Sequence, residues 1–231
     1  MRRRRWTWQR LALRIALGAV AVTVLPVAAL RCVPPLTSSF MLERRFLARG
    51  ERACAAIDYH WVARREISPE LAIAVVAAED QRFSAHAGFD VDSIERALRE
   101  RRGRGASTIS QQVAKNLFLW PGRSLVRKAL EAWFTVWIEA LWPKQRILEV
   151  YLNVAQFGRC TFGAGAASAD FFGKRPAALS GAEAALLAAV LPNPVRRRVD
   201  APSPHVRARA ARIEREVQRL GGPAFLAEHG L

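Results

Sequence analysis

The N-terminal pattern is a basic start followed by an apolar run. Six arginines lie among the first fourteen residues, and a largely apolar, uncharged run follows over Ile15–Leu30. A bilayer core takes about 20 helical residues, and Arg14 and Arg31 at the two ends can extend their charged heads toward water. The pattern therefore predicts a transmembrane helix over residues 11–33, preceded by a basic cytoplasmic tail at residues 1–10.

The arginine excess also predicts the orientation of this helix. Basic residues before a first span hold the N-terminus in the cytoplasm, so we expect one crossing of the cytoplasmic (inner) membrane, with the rest of the chain periplasmic or extracellular. A cleaved signal peptide is an alternative, because residues 27–29 resemble a small-residue cleavage site. Trp6 and Trp8 as interfacial anchors favour retention. A buried helix of a soluble protein fits poorly with so many arginines at its start.

Beyond a juxtamembrane linker at residues 34–52, the spacing of apolar residues indicates helices. Ser68 and Pro69 open a helix that runs apolar up to Glu79, and Ser107 is the expected cap of the next helix. Further helices are predicted at Arg123–Trp142, Pro143–Asn153, Ala184–Leu191 after a Ser180 and Glu183 capping box, and from Ser203-Pro204 through Leu220.

Strand alternation is almost absent, so the expected fold class is all-α. Loops are predicted at residues 85–92, 103–106 and 157–165. The main domain is expected over residues 53–220, followed by a tail at residues 221–231. A chain of 231 residues leaves no room for a second large catalytic domain.

A formal charge of +16 is typical of proteins that bind nucleic acid, but the distribution of this charge along the chain does not support such a partner. The middle hundred residues hold fifteen basic against thirteen acidic side chains, so the excess lies at the two ends. We therefore expect no nucleic-acid binding. The three cysteines, Cys32, Cys54 and Cys160, have no spacing typical of a zinc site, and a Cys54 to Cys160 bridge is left open.

Two carboxylates are candidates for chemistry. Glu79 ends an apolar helix, and burial there would raise its pKa toward the range of a general base. A wet helix end is an equally good interpretation of its position. Glu131 follows Arg127 and Lys128 by one helical turn, so a surface salt bridge is its default interpretation. His86 alone is more typical of a hydrogen-bonded loop histidine than of a catalyst.

Four sequence blocks in a fixed order are far more specific for function than the individual residues within them. They are AAEDQRFSAHAGFD at residues 77–90, GASTISQQVAKNLFL at 105–119, RKALEAW at 127–133 and ILEVYLN at 147–153. In order and spacing the chain resembles glycosyltransferase family fifty-one, which comprises the glycosyltransferase domains of bifunctional penicillin-binding proteins and the monofunctional biosynthetic peptidoglycan transglycosylases. Ala106 and Ser110 are small departures from the usual second block.

The resemblance implies a lysozyme-like, two-lobed helical fold and the polymerisation of lipid II into glycan strands, with inversion at the anomeric carbon. It makes Glu79 the general base and Glu131 the second acidic residue. A divalent cation, Mg²⁺ or Mn²⁺, is a possible cofactor, and proteins of cell-wall synthesis or division are possible partners besides the membrane. The implied substrate-binding residues are Asp80, Phe83, His86, Ser107, Thr108, Gln112, Lys115, Arg123, Arg127 and Lys128.

Two other functions compete with this one. A lytic peptidoglycan glycosidase would also use a helical domain and a key glutamate, but its leaving group is a sugar alkoxide that needs a proton donor. The cations around Glu131 suit an anionic leaving group better. A basic membrane adaptor without catalytic activity would leave the four blocks unexplained.

Overall fold

The computed structural model describes residues 2–47, 49–50, 54–92, 95, 107–122 and 124–231, without the side chains of residues 2–7. Helices predominate in the described chain and strands are almost absent, which confirms the all-α class. Its α-helices are α1 (Arg2–Leu30), α2 (Ser39–Leu42), α3 (Pro69–Glu79), α4 (Ile109–Phe118), α5 (Leu125–Leu141), α6 (Lys144–Val154), α7 (Gly163–Phe172), α8 (Gly181–Val190), α9 (Pro204–Arg219) and α10 (Ala224–Glu228). A π-helix spans Glu43–Leu47, 3-10 turns lie at Arg64–Glu66, Phe83–Ala85 and Pro176–Ala178, and two short strands are β1 (Asp58–Tyr59) and β2 (Thr161–Phe162).

Side-chain caps explain where several helices begin. Ser68, Ser180 and Ser203 accept backbone N–H groups at the starts of α3, α8 and α9, as predicted. The predicted cap at Ser107 is wrong, because Thr108 caps α4. Gln111 lies three residues after Thr108 and returns its side-chain oxygen to the Thr108 N–H, completing a capping box. Ser107 has a serine at that distance, which cannot reach back in this way.

The helices pack in two groups. Helix α3 packs against α8 and α9, whereas α4 packs against α5 and α6. Leu71, Ile73 and Val76 of α3 are fully buried, as are Ile109 and Val113 of α4. The C-terminal end of α3 and the start of α4 meet where the two groups join, so side chains of both groups contact one another there.

The predicted loop at residues 157–165 is partly wrong. Strand β2 lies within it, pairing in parallel with β1, and α7 already begins at Gly163. Gly163 has φ +79°, and a Cβ there would collide with the backbone carbonyl of Asn153. Only glycine fits such an approach. Close by, a disulfide joins Cys54 to Cys160, which settles the pairing that the sequence left open.

Helix α1 is attached to the domain near its C-terminal end. Trp133 Nε1 donates to Thr23 Oγ1 at 3.2 Å, and Trp142 Nε1 donates to the Val27 carbonyl at 2.7 Å. Arg146 Nη2 donates to the carbonyl of Leu30 at 2.9 Å. The stretch Trp8–Leu30 is long and apolar enough to cross a membrane, and most of it is exposed rather than packed in the domain core. The exposed surface argues against a core helix.

Candidate active site

Glu79 is the last residue of α3, and its side chain is only 14% exposed. Gln112 Nε2 donates to Glu79 Oε2 at 3.0 Å, and Arg209 Nη2 donates to Oε1 at 3.2 Å. Burial raises the pKa of Glu79 above its ordinary value, while Gln112 and the nearby cations, Arg209 first, oppose the rise. The expected direction of the pKa shift agrees with the structure. The alternative interpretation, in which Glu79 lies at a solvent-exposed helix end, disagrees with the burial of its side chain.

A buried tyrosine fixes the orientation of Gln112. Tyr151 in α6 is almost fully buried, and its hydroxyl donates to Gln112 Oε1 at 3.0 Å. Burial first, and then the negative charge of Glu79, hold the pKa of Tyr151 well above its ordinary value, so the hydroxyl keeps its proton. With the oxygen of the Gln112 amide occupied, its NH₂ group points to Glu79.

Asp80, Phe83 and His86 lie behind Glu79 in the loop that follows α3. Asp80 Oδ1 is 2.9 Å from His86 Nε2, and Asp80 Oδ2 accepts the N–H of Ile109 at 2.9 Å. The N–H of Gly88 donates to His86 Nδ1, so Nε2 carries the proton shared with Asp80. Phe83 is fully buried. The bond from the Ile109 N–H to Asp80 therefore holds this loop to the start of α4.

Thr108 joins the same arrangement from the start of α4. Its hydroxyl donates to the Gly88 carbonyl at 2.7 Å while capping the helix. Ser107 is half-buried beside it. The loop predicted at residues 103–106 and the proposed ligand Arg123 lie outside the described residues.

Glu131 is not part of a surface salt bridge, since its side chain is only 3% exposed. Arg127 Nη1 contacts Glu131 Oε2 at 2.7 Å, and Lys128 Nζ contacts Oε1. Two cations on one buried carboxylate leave this cluster net positive. The Nε atom of Arg127 is buried without a hydrogen-bond partner among the described residues.

The charge of Lys115 in α4 interacts with both carboxylates, Glu79 and Glu131. Burial lowers the pKa of Lys115, whereas Glu131 and, less strongly, Glu79 raise it. Arg127 and Lys128 also act on it, with the opposite sign to the carboxylates. The structure thus brings together Glu79, Gln112, Lys115, Arg127, Lys128 and Glu131, all of which the sequence analysis singled out.

The sequence analysis did not identify two residues of the site. Arg209 lies on α9, which the sequence predicts only as an amphipathic helix, and it pairs with Glu79 across 130 residues. Tyr151 lies within the fourth block, where its position next to two apolar residues is typical of core packing. No group of three acidic, histidine or cysteine side chains suited to a metal occurs among the described residues. The described protein residues therefore do not form a metal cage of such side chains.

Known proteins resemble the chain over nearly its whole length. A family described as "Transglycosylase" matches residues 50–218. A biosynthetic peptidoglycan transglycosylase of Xylella fastidiosa (strain M23) is 48% identical over 230 residues, covering 97% of this chain and 95% of the relative. The proteins of the same name from Klebsiella oxytoca and Xanthomonas campestris pv. campestris (strain B100) are each 51% identical, covering 96% and 94% of this chain and 95% and 92% of theirs. The chain therefore belongs to the transglycosylase family.

Proposed function

We propose that Glu79 and the cations around Glu131 carry out the polymerisation of lipid II into glycan strands. The protein is a peptidoglycan glycosyltransferase, as its family and its relatives indicate. The observation that carries the assignment of roles is the contrast between two carboxylates. Glu79 accepts hydrogen bonds from one cation, Arg209, and from the Gln112 amide, whereas Glu131 is paired directly with two cations.

Glu79 is suited to act as the general base. The acceptor sugar hydroxyl loses its proton to Glu79 as its oxygen forms the new bond to the anomeric carbon of the growing strand. The bond between that carbon and the pyrophosphate oxygen breaks, and the bonding electrons leave with the pyrophosphate. Attack from the face opposite the leaving group inverts the anomeric centre. A raised pKa brings a carboxylate closer to the value at which it accepts a proton near neutral pH.

The cluster of cations around Glu131 is suited to the leaving group. A lipid pyrophosphate departs as an anion, so it needs positive charge more than a proton donor. Lys115, Arg127 and Lys128 supply that charge, and Glu131 holds the latter two in position. A lytic glycosidase, whose leaving group is a neutral sugar once protonated, gains little from such a cluster.

The apolar helix α1 is proposed as a retained membrane anchor. Cleavage between Ala29 and Leu30 would separate Val27 and Thr23 from the two tryptophans that now donate hydrogen bonds to them. Leaving such donors unsatisfied costs about 1 to 3 kcal/mol each where they are buried. The disulfide between Cys54 and Cys160 supports a domain outside the reducing cytoplasm. We therefore place the domain on the outer face of the inner membrane.

The test is strand synthesis by the purified full-length protein from labelled lipid-linked disaccharide precursor. Lys115→Ala is compared with Lys174→Ala, which removes a half-exposed lysine that pairs with Glu183 in the first turn of α8. Charge-assisted contacts are worth about 1.5 to 3 kcal/mol, so Lys115→Ala should weaken donor binding by about ten- to a hundredfold. Unchanged kinetics for Lys115→Ala would place the pyrophosphate elsewhere. A requirement for Mg²⁺ or Mn²⁺, and recruitment by cell-wall synthesis or division proteins, stay predictions.

A further inference from the structure

The segment between the membrane helix and the domain packs against the domain. Ser38 caps α2 by accepting the N–H of Met41, and both residues are buried. Ser39 Oγ donates to the carbonyl of Leu119 at the end of α4, at 2.8 Å. The match to the transglycosylase family begins only at residue 50, so α2 lies outside it.

One side chain of α2 reaches the candidate active site. The ring of Phe40 lies with its centroid 5.5 Å from Lys115 Nζ, within the range of a cation–π contact. The charge of Lys115 interacts with those of both Glu79 and Glu131. An aromatic face attracts an ammonium group and, unlike a carboxylate, leaves its positive charge available to another anion.

We propose that Phe40 is a further determinant of donor binding, holding the Lys115 ammonium in place for the donor pyrophosphate. The inference rests on the proposed role of Lys115. A long lysine side chain loses rotamer freedom when it binds a ligand, and a ring that already restricts it reduces that loss. The ring also excludes water from one side of the ammonium, which strengthens its attraction to a phosphate.

The segment that carries Phe40 is held to the domain on both sides of its connection to the membrane helix. Arg146 Nη2 donates to the Val33 carbonyl at 2.8 Å, and the Tyr59 hydroxyl donates to the Pro35 carbonyl at 2.5 Å. These bonds fix the chain between α1 and α2. The position of the ring over Lys115 is therefore set by the same segment that leaves the membrane, where the lipid part of the donor is held.

The test separates the aromatic face of Phe40 from its bulk. Phe40→Leu keeps an apolar side chain without a ring, Phe40→Tyr keeps the ring, and pentafluorophenylalanine at position 40 keeps the shape but reverses the charge of the ring face. Phe46→Leu is the matched control, since Phe46 lies in the neighbouring π-helix, is 69% exposed and has a ring contact with Arg45. All are made in the full-length protein and checked by thermal unfolding.

The probe is a lipid-linked disaccharide diphosphate in which a methylene group replaces the anomeric oxygen, so that the donor bond cannot break. We expect its dissociation constant to rise about three- to tenfold for Phe40→Leu and for the fluorinated ring. It should stay within twofold of wild type for Phe40→Tyr and Phe46→Leu. In a Lys115→Ala background, Phe40→Leu should add no further loss, because its effect acts through the ammonium.

The outcomes separate the two proposals. If Lys115→Ala leaves binding of the probe unchanged, the assignment of the donor site is wrong. If Lys115→Ala weakens binding but Phe40→Leu behaves like Phe46→Leu, Phe40 has no part in the site. A loss that persists in the Lys115→Ala background, or normal binding with the fluorinated ring, would show that Phe40 acts by packing and would overturn the inference.

Discussion

Replacing Glu79 by glutamine tests the proposed mechanism most directly. Glu79→Gln keeps the size of the side chain but removes its ability to take a proton from the acceptor hydroxyl. A positioned base contributes about 10² to 10⁴ in rate, which corresponds to about 2.7 to 5.4 kcal/mol of activation free energy. We expect strand synthesis to fall by that factor while binding of the methylene-linked donor probe persists.

The surroundings of Glu79 indicate that the fold tolerates this change. Both Gln112 and Arg209 donate to the carboxylate, whereas the new amide offers one oxygen and one NH₂ group. The oxygen can face Arg209 if the Gln112 amide turns over. The Tyr151 hydroxyl, now a donor to Gln112, would then rotate and accept. Only the charge assistance of two bonds is lost, and relief of carboxylate burial offsets part of it, so the free energy of unfolding should change by about 1 kcal/mol or less.

The assay compares wild type, Glu79→Gln and Glu216→Gln. Glu216 is a matched control because its carboxylate pairs with an exposed arginine, Arg219, one turn along α9. Synthesis is followed with labelled precursor, and thermal unfolding confirms the fold. If folded Glu79→Gln polymerises within a fewfold of wild type, Glu79 is not the base.

Three further outcomes are expected. Arg209→Gln removes a cation that favours the ionised form of Glu79, so the pKa of Glu79 should rise further. The acid limb of the pH profile of kcat/KM should therefore move to higher pH. An acid limb at the same pH as in the wild type would contradict this. Asp80→Asn should lower the free energy of unfolding by about 1 to 3 kcal/mol, measured by urea denaturation, because it disturbs the bonds to His86 and Ile109; a large loss of synthesis at unchanged stability would instead favour a substrate contact. A reporter fused after Leu231 should be active only outside the cytoplasm, and recovery of a chain starting near Leu30 would identify a cleaved signal peptide.

The starts of the helices could be predicted because their signals are local. Ser68, Ser180 and Ser203 lie beside the N–H groups that they cap, so a few residues of sequence contain the whole interaction. The error at Ser107 is local as well. Two adjacent hydroxyl residues compete for one helix start, and the reciprocal bond from Gln111 decides in favour of Thr108.

The electrostatics of the site could not be predicted in this way. A glutamate one turn after two cations occurs on exposed helix faces and on buried ones alike, so the sequence did not predict that Glu131 is buried. Arg209 meets Glu79 because α9 packs on α3, a contact that no local pattern contains. The resemblance to the glycosyltransferases singled out Glu79 and Glu131, but the two groups that contact Glu79 lie on other helices and come together with it only in the tertiary structure.

The disulfide has a consequence for how the protein is made. Cys54 and Cys160 are separated by 106 residues, and chains grow at about 5 to 20 residues per second. Cys54 therefore emerges about 5 to 20 seconds before its partner exists. During that interval the exposed Cys32, which precedes it by 22 residues, is the other thiol on the nascent chain. Biogenesis thus passes through a period in which oxidation can join the wrong pair, and correct assembly requires either slow oxidation or a later exchange of thiols.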